Sequence, residues 1–189
     1  MNEHLRPIFE TVLPAIEAAD IEYWVFGGIA IAGLEGRFVR KNNDVDIVVY
    51  REKYRGALDA IEASRDKTWT YKDTNFARPK REFFVPDRKE DILSIMPIYR
   101  NGATVTIQFQ KSKKNFPTDT WGYQKRVIGS YSFFTPTQNA LNELFIENLR
   151  YLAKRWAKGD KLDLKPKYEE DGRIILTPKE REEFFSQKK

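Results

Sequence analysis

The sequence predicts a mixed α/β (α+β) domain, a mixed β-sheet flanked by helices, over residues 1–134. A helical C-terminal part over residues 135–189 is expected to pack against it. Three observations lead there. Leu5, Ile8, Phe9, Val12, Leu13, Ile16 and Ala19 form an apolar stripe at helical spacing. Short runs rich in aliphatic and aromatic residues follow, bounded by glycine, proline and acidic turns. A second, longer helical stripe begins after Thr135-Pro136.

In chain order, residues 5–19 read as an amphipathic helix with Pro7 in its first turn and a kink at Pro14. Tyr23-Trp24-Val25-Phe26 reads as a buried strand running into Gly27-Gly28. Residues 29–34 make a short helix that stops at Gly36, and 36–43 form a basic, polar loop. Residues 44–50 alternate acid and aliphatic before turning wholly apolar, which describes a strand with a polar N-terminal end. A helix over 52–64 places Tyr54, Ala57, Leu58 and Ile61 on one face, and 66–79 are irregular. Strands are expected over 81–85, 91–98 and 103–109, with turns at Pro86-Asp87 and Asn101-Gly102. One more strand is expected over 127–134. The long helix runs from 135 to about 157 on Leu141, Leu144, Phe145, Leu149, Leu152 and Trp156, and Gly159 ends it. Residues 170–173 have hairpin-turn chemistry, and Thr177-Pro178-Lys179-Glu180 is a capping box for a last short helix.

The bulk composition excludes several classes. Hydrophobic residues at 41% suffice for a folded core, and no apolar run approaches the ~20 residues of a membrane span. The absence of cysteine removes disulfides, thiolate zinc sites and a cysteine nucleophile. Met1-Asn2-Glu3-His4 has no basic leader followed by an apolar stretch, so a cytoplasmic protein is expected. His4, the sole histidine, is not expected to be catalytic. Net charge is +5, with Arg100, Lys111, Lys113, Lys114, Lys125 and Arg126 concentrated over 100–126. That segment reads equally as a solvated lysine-rich face or as a field for phosphates of a nucleotide or RNA.

Chemistry concentrates in three places. Gly27-Gly28 falls between a strand and a helix, where a backbone without Cβ lets a ligand approach the N–H groups of the next turn. Asp44 and Asp46 lie two apart on one predicted strand, so both carboxylates share a face, with Cα atoms about 7 Å apart. Such a pair repels unless a cation lies between them, and Mg²⁺ prefers carboxylate oxygen and bridges phosphates. Asp91 opens another aliphatic strand, which can bring a third acid to the same ion; Asp87 and Glu90 are nearby alternatives. Taken singly, the glycines read as a turn and the acids as solvated strand edges. The ordered series of strand, Gly-Gly, helix, basic loop and Asp-x-Asp is what points to a phosphate-handling site. Trp121 and Tyr123, flanked by lysines, are core residues or a stacking surface for a base.

Gly27-Gly28, fifteen residues, then Asp44-Val45-Asp46-Ile47 resembles the signature of the polymerase-β-type nucleotidyltransferase superfamily. Tyr23-Trp24, Gly36-Arg37, Arg40 and the acid pair look most like lincosamide and aminoglycoside nucleotidyltransferases and related minimal or toxin-like members. Asp91-Ile92 resembles the family's third acid. The likeness covers residues 22–50 closely and 80–98 loosely; relatives often carry histidine where this chain has Asn42. The resemblance implies transfer of a nucleoside monophosphate from an NTP to an acceptor hydroxyl, with release of pyrophosphate. Asp44 and Asp46 would hold two Mg²⁺ ions, and Asp91 would ligate the second ion, act as general base on the acceptor hydroxyl, or do both. Gly27 and Gly28 would admit the triphosphate, and Arg37 and Arg40 would neutralise its leaving part or else remain solvated. A small-molecule acceptor is favoured. Transfer to tRNA or protein, and an inactive nucleotide- or RNA-binding module, are the alternatives.

Overall fold

The computed structural model describes residues 2–38, 40–74, 80–108 and 113–146. The first amphipathic stretch is helical but not uniform. A 3₁₀ turn at Glu3–Leu5 leads to a π-helical segment at Ile8–Val12, then to helix α1, Leu13–Ala18. Pro14 stands in the first turn of α1, just after this change of helix type. Proline has no N–H to donate one turn back, and the Leu13 N–H reaches instead to the Ile8 carbonyl.

Strand β1, Tyr23–Phe26, is buried along its length and passes straight into α2, Gly27–Glu35, which ends on Gly36 in the left-handed conformation. Strand β2 is Val45–Tyr50 and α3 is Tyr54–Ser64. Strands β3 (Thr70–Thr74), β4 (Lys80–Phe84), β5 (Leu93–Asn101), β6 (Thr104–Gln108) and β7 (Lys113–Pro117) follow. After the short α4, Thr118–Trp121, the hairpin strands β8, Gln124–Ile128, and β9, Tyr131–Thr135, lead to α5, Gln138–Ile146.

Among the described residues the strands form a seven-stranded mixed sheet and a separate hairpin. The order β1-β2-β5-β4-β3 is extended by β6 on the far half of β5 and by β7 on β6. Only β2 and β5 run parallel; the other pairs are antiparallel. Alternation along the strands divides the core. Tyr23, Val25, Val45, Ile47, Val49, Leu93, Ile95 and Phe83 face the first helical stretch and α3. Trp24, Val48, Tyr50, Met96 and Ile98 face the other way, with Trp121 of α4 and Ala140 and Leu144 of α5. Asp46 belongs to this second face.

Four expectations are corrected. Residues 66–79 are not wholly irregular, because Thr70–Thr74 forms an edge strand on β4, held by a bidentate Arg81–Asp73 pair at 2.7 and 2.8 Å. The single strand expected over 127–134 is the two strands of a hairpin, because Gly129 turns the chain at φ +60°. The last long helix begins at Gln138 rather than 135: the Thr137 hydroxyl caps it by accepting the Ala140 N–H at 3.1 Å. Asp44 and Asp91 lie just before β2 and β5 rather than inside them. The remainder of the expected long helix, the turn at 170–173 and the capping box at 177–180 lie outside the described residues.

Candidate active site

The site forms where β1 ends and β2 and β5 begin. Cross-strand register aligns Phe26 with Asp46, Asp46 with Ser94, and Ser94 with Glu82. Phe26 immediately precedes Gly27, so this register brings the N-terminal end of α2 beside Asp46. Gly27 has φ +67°, the left-handed value that an L side chain resists, and this lets the chain turn sharply from strand to helix. The N–H groups of the first helical turn have no partner within the helix and carry its positive dipole end.

Asp46 is fixed by its neighbour. The Ser94 hydroxyl, fully buried, donates to Asp46 Oδ1 at 2.5 Å. Lys80 on β4 completes a charged cluster. Its Nζ lies 2.9 Å from Glu82 Oε1, 3.8 Å from Asp91 Oδ2 and 3.9 Å from Asp46 Oδ1. Burial opposes the Lys80 charge, but Asp46, Glu82 and Asp91 together hold its ammonium above the ordinary lysine value. Burial pushes the Asp91 carboxyl up, as do Glu82 and Asp46, against the pull of Lys80. Asp91 Oδ2 is buried without a hydrogen-bond partner.

The loop before Asp44 is tied to the chain's N-terminal end. Asn2, buried and at φ +69°, accepts the Asn42 N–H at 2.7 Å and donates to the Arg40 carbonyl at 3.2 Å. Asn42 is buried too, and its own side chain donates to the Arg40 carbonyl at 3.2 Å. His4 lies against the backbone of Asn42 and Asn43; burial, then Arg88, lowers its pKa from the ordinary value.

A family model described as aminoglycoside-2''-adenylyltransferase matches residues 9–132. The chain belongs to this family. Its members are nucleotidyltransferases of the polymerase-β type. Solved structures agree on the fold. The lincosamide antibiotic adenylyltransferase LnuA, bound to lincomycin, superposes with a TM-score of 0.57 at 18% identity, over 76% of this chain and 86% of that one. ANT(2'')-Ia in complex with adenylyl-2''-tobramycin gives 0.53 at 18% identity, over 78% and 76%. The solution structure of the antibiotic-resistance factor ANT(2'')-Ia gives 0.54 at 18%, over 99% and 94%. No curated protein sequence matches the chain.

Within this family fold, the acids expected from sequence approach one another unequally. Asp46 and Asp91 converge on Lys80, while Asp44 is half-buried immediately before β2. Glu90 and Asp87 are exposed, and Asp87 turns the chain at φ +65°. Asp91 does not share a strand face with Leu93 and Ile95, whose side chains point to the opposite layer; it reaches the cluster from the loop. Arg37 is exposed, and its N–H caps α2 on the Ala32 carbonyl at 3.2 Å. Arg40 Nη1 donates to the Lys41 carbonyl at 2.9 Å. Trp121 is a core residue packed on Trp24 and Phe116, and Tyr123 stacks on Phe134. Sequence reasoning missed Ser94, Lys80, Glu82 and Asn2. Only Lys80 and Glu82 left a trace, the charged alternation Lys-Arg-Glu entering an aromatic strand.

Asp46 offers a hard carboxylate oriented by Ser94 at the strand end where β1 passes into α2, and Asp44 stands two residues before it, just outside β2. Among the described residues no group of three acids or histidines is arranged to hold a metal ion.

Proposed function

We propose that the protein is a Mg²⁺-dependent nucleotidyltransferase that moves a nucleoside monophosphate from an NTP to a hydroxyl of a small molecule and releases pyrophosphate. The observation that carries this reading is the alignment of Phe26, Asp46 and Ser94, which sets the α2 N-terminus and an oriented carboxylate at one sheet end. Mg²⁺ held by Asp44 and Asp46 would supply Lewis-acid polarisation of the transferring phosphate. Ser94 fixes the Asp46 carboxylate by donating to Oδ1. The N–H groups following Gly27 and Gly28 receive phosphate oxygens. Arg37 and Arg40, on the loop between α2 and β2, neutralise the departing pyrophosphate. Asp91, whose raised pKa favours holding a proton, accepts the one released by the acceptor hydroxyl.

LnuA with lincomycin and ANT(2'')-Ia with adenylyl-tobramycin favour a hydroxylated antibiotic-like acceptor, and an adenylyl product favours ATP as donor. The basic segment 100–126 would favour RNA, but several of its charges have local partners. Lys114 Nζ is 3.8 Å from Glu143, Arg100 lies over the Tyr50 ring, and Arg126 bonds Thr135 and Gln124. The test is incubation with each α-labelled NTP, Mg²⁺, hydroxylated aminoglycosides and lincosamides, a metabolite extract and tRNA. Label is expected on a small molecule, with matching pyrophosphate. Label on tRNA would reassign the acceptor, and no Mg²⁺-dependent label from folded protein would contradict the reading.

A further inference from the structure

Lys80 occupies ground that an acid-lined phosphoryl-transfer site ordinarily gives to a metal ion. Its Nζ is ringed by three carboxylates from three separate segments: Asp46 of β2, Glu82 of β4 and Asp91 of the loop before β5. The side chain is only 16% exposed, so it is built into the site rather than laid over it. Strand alternation fixes this placement. Lys80 and Glu82 share a face of β4, and the register sets that face beside Ser94 and Asp46.

We propose that the Lys80 ammonium takes the place of a second divalent cation, so that the site takes one Mg²⁺ together with one lysine. This rests on the nucleotidyltransferase reading and revises the two-ion expectation drawn from the family resemblance. A Mg²⁺ shared by Asp46 and Asp91 would have to draw both oxygens to about 2.1 Å. The ammonium faces those same two oxygens at 3.9 and 3.8 Å, so a second ion would be brought up against a buried like charge. Electrostatically, the lysine removes the mutual repulsion that otherwise draws a second ion into such a cluster. Chemically, an ammonium has three N–H donors, and only the 2.9 Å contact with Glu82 is of hydrogen-bond length. The other two donors, not engaged at hydrogen-bond length by Asp46 or Asp91, would take phosphate oxygens of a bound triphosphate, the contact a second metal would make. Lys80 is thereby a residue of the reaction site, stabilising charge on the phosphate as a compact cation.

The alternative is a counter-ion that swings out when metal loads, and ion counting separates the two. Mn²⁺ replaces Mg²⁺, and total bound Mn²⁺ per protein is measured by electron paramagnetic resonance on the full chain saturated with α,β-methylene-ATP. The proposal predicts one ion for the wild type and two for Lys80→Met. Two ions in the wild type would overturn it while leaving the nucleotidyltransferase reading intact. A single ion in folded Lys80→Met would also overturn it. No Mn²⁺-dependent nucleotide binding at all would overturn the underlying reading itself. Should Lys80→Met not fold, the wild-type count decides alone.

Discussion

The Ser94 hydroxyl holds Asp46 Oδ1 at 2.5 Å across the parallel β2–β5 pair. A serine on the strand next to the acid pair thus does the orienting, while a lysine supplies the charge. Removing the hydroxyl leaves a carboxylate that can rotate away from its ligand. Hydrogen bonds to charged groups are worth about 1.5–3 kcal/mol. Ser94→Ala is expected to fold and to weaken Mg²⁺-dependent NTP binding by roughly tenfold or more on that scale, measured by titration calorimetry. Binding unchanged in Ser94→Ala would show that Asp46 needs no such support.

The two glycines at the head of α2 have different tasks. Gly27 alone of the pair has positive φ, at +67°. Gly27→Ala should therefore cost about 1–2 kcal/mol of stability through the left-handed backbone, read as a lower urea midpoint. Gly28→Val should leave stability nearly intact and abolish NTP binding, because its branched side chain enters the space the triphosphate needs. A folded Gly28→Val variant with normal turnover would reduce the pair to a plain turn.

Asn2 secures the loop that delivers Asp44. Its amide satisfies the buried Asn42 N–H and the Arg40 carbonyl. Asn2→Ala strands the Asn42 N–H, at about 1–3 kcal/mol for a buried unsatisfied donor, while the Arg40 carbonyl keeps the Asn42 side chain. The loss should appear both in thermal unfolding and as weaker metal affinity. A stability loss with unchanged metal affinity would confine Asn2 to a structural role.

His4 adds a pH dependence to the same junction. Burial first, then Arg88, lowers its pKa in the folded state. The unfolded chain therefore binds the proton more tightly. The stability linked to His4 is complete above the ordinary histidine value and is lost as pH falls through that value toward the lowered one. Urea midpoints for wild type and His4→Gln should diverge in slope between about pH 7 and 5, the wild type losing more. Parallel slopes would remove His4 from the account.

The parts of the site that sequence made legible are local. The turn at Gly27-Gly28, the period-two run of β2 and the helix stopping at Gly36 each need only a few neighbouring residues. What stayed hidden depends on register between distant strands. Ser94 lies inside an apolar run, and nothing in that run signals that it faces Asp46 from 48 residues away. Lys80 and Glu82 reach the cluster only because β4 pairs with β5, whose first rung sets Phe83 against Leu93. Asp91 looked like a strand residue because Asp91-Ile92 continues an aliphatic pattern. Ile92 does bond both neighbours, its N–H to Phe83 and its carbonyl from Val45, yet the strand itself starts one residue later. Strand β3 carries little apolar alternation and is held by its edge pairing with β4, so its sequence looked like a loop.

The most direct test of the central claim is ATP binding with and without Mg²⁺ by the wild type and Asp46→Asn, followed by calorimetry at matched, verified folding. The account predicts tight binding only for wild type with Mg²⁺, and loss of the Mg²⁺ dependence in an Asp46→Asn variant that remains folded. Equal Mg²⁺-dependent affinity in the two proteins would contradict the assignment of Asp46, and with it the site.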